Sequence, residues 1–207
     1  MLHTCKKLCI HVLCTRFHSV YNQVAEHYEN GTTRTLAWRK SQIKNVETML
    51  INHEAEFINA LKKDLHKPKY EAYSADIGGV LLCIKNVLAK IDDWTKEVHI
   101  KRQDNFTVGC PTTVKYVPYG VTFVIGTWNF PINLTLTPLV LAIAAGNACI
   151  VKPSEVTKSC SEVMTRLGNR YLSELGGVVF KEGDKNLVQS LMNENRLDFV
   201  FYSIFKH

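Results

Sequence analysis

The sequence predicts an α/β protein, with a mostly parallel sheet lying behind an N-terminal layer of helices. Three observations carry this. Between residues 35 and 94, apolar side chains recur at three, four and seven residue steps, the period of amphipathic helices. Short apolar runs then recur at 121–125, 148–151, 178–180 and 197–202, with helix-length segments between most of them. Parallel strands need such crossovers, and strands covered on both faces read as near-continuous apolar runs.

The elements follow in order. From Thr35 to Leu65 the stripe is Ile43, Val46, Leu50, Phe57 and Leu61. Asn52-His53-Glu54 divides it into two helices, with Asn52 as the candidate N-cap. Pro68 stops the second helix. A further helix spans about Tyr70 to Trp94, with Ile77, Val80, Ile84, Val87 and Ile91 on one face. Gly78 and Gly79 each cost it roughly 1 kcal/mol relative to alanine, which predicts a close helix crossing there. Residues 98–111 read as a polar loop. Thr113 to Val117 alternates as a strand, and Pro118-Tyr119-Gly120 turns the chain. Val121 to Ile125 is a buried strand. A helix from about Thr137 to Ala145 carries Pro138 in its first turn and stops at Gly146-Asn147. Ala148 to Val151 is the next strand, and Ser154 caps a helix that reaches about Leu172. Val178 to Phe180, a helix from Lys185 to Met192, and Leu197 to Tyr202 complete the alternation. Right-handed crossovers at this spacing make the sheet Rossmann-like.

Composition narrows the class. Hydrophobic residues are 46% of the 207 and charged residues 21%, as in soluble globular proteins. The net charge is +6, but lysines and arginines interleave with acids after Glu26, which argues against nucleic-acid binding. Seven cysteines without a Cys-x-x-Cys pair indicate a reducing compartment and no disulfide framework. Residues 1–21 stand apart as a basic extension: Lys6, Lys7 and Arg16 occur without an acid. The Cys and His spacing there matches no common zinc pattern, so no metal is expected. Such a start also fits a mitochondrial presequence. No run of about 18 apolar residues is present, so no transmembrane segment is expected.

Two motifs sit where parallel strands end, the place where open α/β sheets bind ligands. Gly126-Thr127-Trp128-Asn129-Phe130-Pro131 follows the first buried strand. Gly126 permits close backbone approach. The Asn129 amide either donates to a developing oxyanion or bonds backbone in a turn. Lys152-Pro153-Ser154-Glu155 follows the next strand. Lys152 and Glu155 fit either ribose hydroxyls and phosphate or the start of a helix. A Gly-x-Gly-x-x-Gly fingerprint is absent.

Taken together, Gly-Thr-Trp-Asn-Phe-Pro, Asn-Leu-Thr, Ala-Ala-Gly-Asn-Ala and Lys-Pro-Ser-Glu resemble the aldehyde dehydrogenase superfamily. Trp128, with Ile132-Asn133-Leu134-Thr135, resembles its class 3 branch, which includes fatty aldehyde dehydrogenases. Arg34 to Leu50, Ala60 to Pro68 and Asp198 to Tyr202 extend the likeness over residues 22–202. The resemblance implies NAD- or NADP-dependent oxidation of an aldehyde to a carboxylic acid through a cysteine thiolate and a glutamate-activated water. It assigns Asn129 to the oxyanion and Lys152 and Glu155 to the adenosine ribose. Ile125, Gly126, Thr127 and Trp128 would line the cofactor cleft.

The family pattern continues beyond Tyr202 with a glycine loop, a glutamate base and a nucleophilic cysteine. Ser203 to His207 does not match it. The expectation is a helical layer over 22–112, an incomplete cofactor-binding domain over 113–202 and a divergent tail over 203–207, with the catalytic domain absent. The chain alone is then inactive and binds dinucleotide weakly or not at all. The alternatives are a truncated subunit that pairs with intact ones, as a homo- or hetero-dimer, and a fragmentary gene product. The cytoplasm is the default location.

Overall fold

A computed structural model describes residues 19–100 and 112–203. The expected extension over residues 1–21 lies largely outside them, but its end does not. Residues 19–29 form helix α1, and Val20, Val24 and Ala25 are buried. The folded region therefore begins before residue 22.

A 3-10 turn (Thr32–Arg34) leads into α2 (Leu36–Asn52) and α3 (Glu54–Leu65). Asn52 is the last residue of α2 rather than a cap. His53 takes the N-cap position of α3 without a side-chain hydrogen bond. At the far end of α3, His66 is left-handed with φ of 57°. Pro68 then starts the next segment instead of ending the previous one: α4 (Lys69–Glu71), a π-helical stretch (Ala72–Ile77) and α5 (Gly78–Trp94) run on continuously. Gly79 does mark a close crossing. A Cβ there would lie 2.8 Å from Asn133 Nδ2, at the start of the helix that follows the first buried strand.

Strands β1 (Val98–His99) and β2 (Thr113–Val114) form a short exposed antiparallel pair. So residues 98 and 99 are strand, not loop, and the expected strand over 113–117 is shorter. Residues 101–111 lie outside the described part. Next come β3 (Val121–Ile125), α6 (Asn133–Ala145), β4 (Ala148–Lys152), α7 (Lys158–Leu172), β5 (Val178–Phe180), α8 (Lys185–Glu194) and β6 (Phe199–Tyr202). The four-stranded sheet has the order β5-β4-β3-β6, and every pair is parallel.

Two helix boundaries differ from expectation. Helix α6 begins four residues early, at Asn133, so Pro138 lies inside it. An acid from another helix, Asp76, supplies the start: its Oδ1 accepts from the N–H groups of Ile132 at 3.2 Å and Asn133 at 3.4 Å. Helix α7 begins at Lys158, and Ser154 does not cap it. Asp64 at the end of α3 does, accepting from Ser159 N at 3.2 Å and Cys160 N at 2.8 Å. Both caps come from elements distant in sequence, which no local pattern reveals.

Strands β3, β4 and β5 are covered on both sides, whereas the edge strand β6 is only partly covered, with Phe199 and Tyr202 exposed. Val121, Phe123, Ile125, Ile150 and Val179 pack with α1 and with Leu187 and Leu191 of α8. Val124, Cys149, Val151 and Val178 face the larger cluster built by α2, α3, α5, α6 and α7. Within it, α2, α3 and α5 pack on α6 and α7, forming a second helical layer outside the first. Among the described residues no helix is long and apolar enough to cross a membrane.

Candidate active site

Strands β3 and β4 set the site by ending together. Ile125 pairs with Lys152 across the ladder, and Gly126 N donates to Lys152 O at 2.8 Å. The chain then leaves β3 through a gap that admits no side chain. A Cβ on Gly126 would meet Thr135 Oγ1 and lie 3.2 Å from Pro153 Cα. Glycine is required there by close approach, as the sequence suggests.

The turn from Gly126 to Ile132 is held at both ends. Lys67, 8% exposed, donates to Asn129 O at 2.9 Å and to Asp76 Oδ2 at 2.7 Å. Its ammonium also stands 4.1 Å from the centre of the Phe130 ring. Asp76, fully buried, spends its other oxygen on the start of α6.

Across the strand ends, Lys152 is buried while Glu155 stays half exposed. Lys152 Nζ contacts Glu155 Oε2 and donates to Pro153 O at 3.3 Å. Partial burial raises the Glu155 carboxyl, but the hydrogen bond and charge of Lys152 outweigh it and hold the group below its usual range.

The turn and the Lys152–Glu155 pair border one cleft of about 670 Å³. That size is ordinary for a cofactor site. Ile125, Gly126, Thr127, Trp128, Asn129, Lys152 and Glu155 all line it, so the structure brings together every residue singled out from sequence. Helix α8 adds Lys185, Val188 and Gln189, and β6 adds Tyr202. The α8 residues escaped the sequence reading, although Lys185, Val188 and Gln189 recur at helical spacing. Lys67 and Asp76 escaped it too. The available signal was an acid on an otherwise apolar helical stripe.

The cleft's chemistry suits a nucleotide. An ammonium and a carboxylate lie at one end, and Val156 and Val188 offer apolar wall for a base. The Thr127 hydroxyl is buried with no hydrogen-bond partner among the described residues, leaving an unused polar atom at the site. The described cysteines are Cys83, Cys149 and Cys160, and none lines the cleft. Burial pushes all three thiols up, with Asp64 adding to the effect at Cys160. Among the described residues no cluster of acids, histidines or cysteines is arranged to hold a metal.

An open parallel sheet with a ligand-sized cleft at its strand tips defines the class as a Rossmann-like α/β fold. The aldehyde dehydrogenase family model matches residues 16–201. An aldehyde dehydrogenase of Craterostigma plantagineum is 34% identical over 178 residues, which is 85% of this chain and 36% of that protein. The mouse aldehyde dehydrogenase family 3 member B1 is 30% identical over 90% of this chain and 39% of its own length. A substrate-bound AldH from Staphylococcus aureus superposes with a TM-score of 0.84 at 30% identity, covering 89% of this chain and 40% of that one. The chain therefore belongs to the aldehyde dehydrogenase family, and its likeness runs to the class 3 branch. It spans roughly two fifths of the length of these relatives.

Proposed function

We propose that the cleft binds the adenosine half of NAD or NADP and that, in the whole protein, Asn129 serves the oxidation of an aldehyde to a carboxylic acid. One observation carries this: the Asn129 turn and the Lys152–Glu155 pair face a single cleft at the ends of adjacent parallel strands. Family membership supports the reaction class.

Lys152 and Glu155 hold the ribose hydroxyls, one donating and the other accepting. The Thr127 hydroxyl and Gly126 backbone line the path of the diphosphate. When bound, the dinucleotide supplies the hydride acceptor. The Asn129 side-chain amide donates to the aldehyde oxygen as it gains negative charge. Trp128 screens the mouth from water.

None of the described thiols lines the cleft, and burial keeps each of them protonated. The described thiols thus supply no nucleophile, and the expectation for the 207 residues by themselves is no dehydrogenase activity and weak dinucleotide binding. The test is a titration of NAD and NADP against intrinsic fluorescence, with Trp128→Phe isolating the signal from Trp38 and Trp94. A saturable change with a dissociation constant on the order of 1 mM is expected. It should vanish in Lys152→Ala. No saturable change in the unmodified chain, or an unaltered one in Lys152→Ala, defeats the nucleotide reading. Turnover of an aldehyde by the purified chain defeats the inactivity.

A second reading is a non-catalytic subunit that pairs with intact ones. The observation favouring it is the exposed apolar set Val98, Ile100, Val114, Tyr116 and Val117 on and beside the β1–β2 pair. Co-purification with an intact subunit supports it, and a clean monomer in sedimentation opposes it.

A further inference from the structure

The Lys67–Asp76 ion pair is buried in the described core and engaged on every side. The three ammonium hydrogens of Lys67 meet three partners: Asp76 Oδ2, Asn129 O and the Phe130 ring. Asp76 binds Lys67 with one oxygen and the N–H groups of Ile132 and Asn133 with the other. Between them the two side chains touch residues 129, 130, 132 and 133, on both sides of Pro131. The turn is gripped along its length from outside itself.

Stability alone is a poor account of such a pair. Desolvating two charges is costly, and well-packed apolar replacements of buried ion pairs are often neutral or stabilising. What an apolar pair cannot do is fix a backbone carbonyl and two backbone N–H groups in one geometry. The partially buried turn carries an amide whose use depends on its aim, and misplacement by about 1 Å can cost 10²-fold in rate.

We propose that Lys67 and Asp76 are positioning residues, which set the turn over 126–133 and so aim the Asn129 amide across the cleft. Lys67 fixes the Asn129 carbonyl, and the peptide plane fixed there limits where the side chain can point. Asp76 fixes the entry to α6, so the turn cannot slide along the helix axis. The link also runs outward. Lys67 precedes Pro68, and Asp76 lies in the π-helical stretch, so the packing of the outer helical layer sets the geometry of the turn. The role assigned to Asn129 rests on the function proposed above; the grip itself does not.

The test uses the full chain labelled with 5-fluorotryptophan. Its three tryptophans give separate fluorine resonances, with Trp128 assigned by Trp128→Phe. The double variant Lys67→Met, Asp76→Asn removes both charges together and keeps an acceptor for Ile132 and Asn133. The expected result is a shifted or broadened Trp128 resonance, with Trp38 and Trp94 unchanged, far-UV dichroism retained and dinucleotide affinity reduced. Lys67→Gln, which keeps a donor for Asp76, should move the same resonance less. An unmoved Trp128 resonance in either folded variant overturns the proposal. Loss of folding in both also overturns it, since the pair is then a folding element. If the unmodified chain binds no dinucleotide, the nucleotide reading fails while the fluorine spectra still decide the grip.

Discussion

At the scale of single residues, the site is a set of opposing charges whose environments differ. Lys152 is buried and Glu155 is half exposed, so solvent screens the contact from one side only. The folded Glu155 carboxyl is held below its ordinary value of 4.5. A depressed carboxylate contributes stability that is present above the unfolded value and is lost as the pH falls through the folded one. Stability should therefore decline below about pH 4.5, and Glu155→Gln should flatten that part of the profile. At neutral pH the same variant should lose about 1 kcal/mol, because the partner keeps its carbonyl bond and water reaches the gap. Urea unfolding at a series of pH values measures both. Gly126, Asn129, Lys152 and Glu155 stand out by type at the strand ends, an amide, a lysine and an acid beside glycine, whereas Ile125, Thr127 and Trp128 are assigned to the cleft by the family resemblance alone. Lys67 was not legible, since a lysine before a proline looks like any solvated charge.

At the scale of elements, the helices form much where periodicity puts them, and the shifted starts of α6 and α7 share one cause. Starts that seemed local are supplied from elsewhere. Ser154 looks like a cap by its type, yet Asp64 performs the role for α7 across 95 residues of sequence. Asp76 does the same for α6. Helix N-termini leave N–H groups unpaired, and an anion from any direction can satisfy them. Asp64→Ala should thus cost about 1–2 kcal/mol, while Asp64→Asn, which keeps an acceptor, should cost less. Thermal melts of the two variants separate capping from mere packing, since a packing role would make them equal. The strands were read closely because two-sided burial leaves a simple apolar mark. The β1–β2 pair carries no such mark, and only its partner strand reveals it.

At the scale of the whole molecule, protection from solvent divides sharply. Every residue of β3 and β4 is buried, while β1 and β2 are exposed throughout. Amide hydrogen exchange should therefore be slowest in β3 and β4, opening only with global unfolding, and fast in β1 and β2. Comparable protection in both sets would contradict this arrangement of the core. The double covering of β3, β4 and β5 was legible from their apolar runs, while β6 carries the same mark and is only partly covered. The layering of helix upon helix was not, because a stripe shows that a face is buried without showing against what. The strand order carries one more consequence, for synthesis on a ribosome. β3 meets β4 after a short stretch of chain, but its other neighbour, β6, begins at Phe199, far downstream. While the intervening residues are still being translated, one flank of β3 has nothing to pair with. The growing polypeptide passes through an interval in which the free edge of a strand destined for the core is open to the wrong partner.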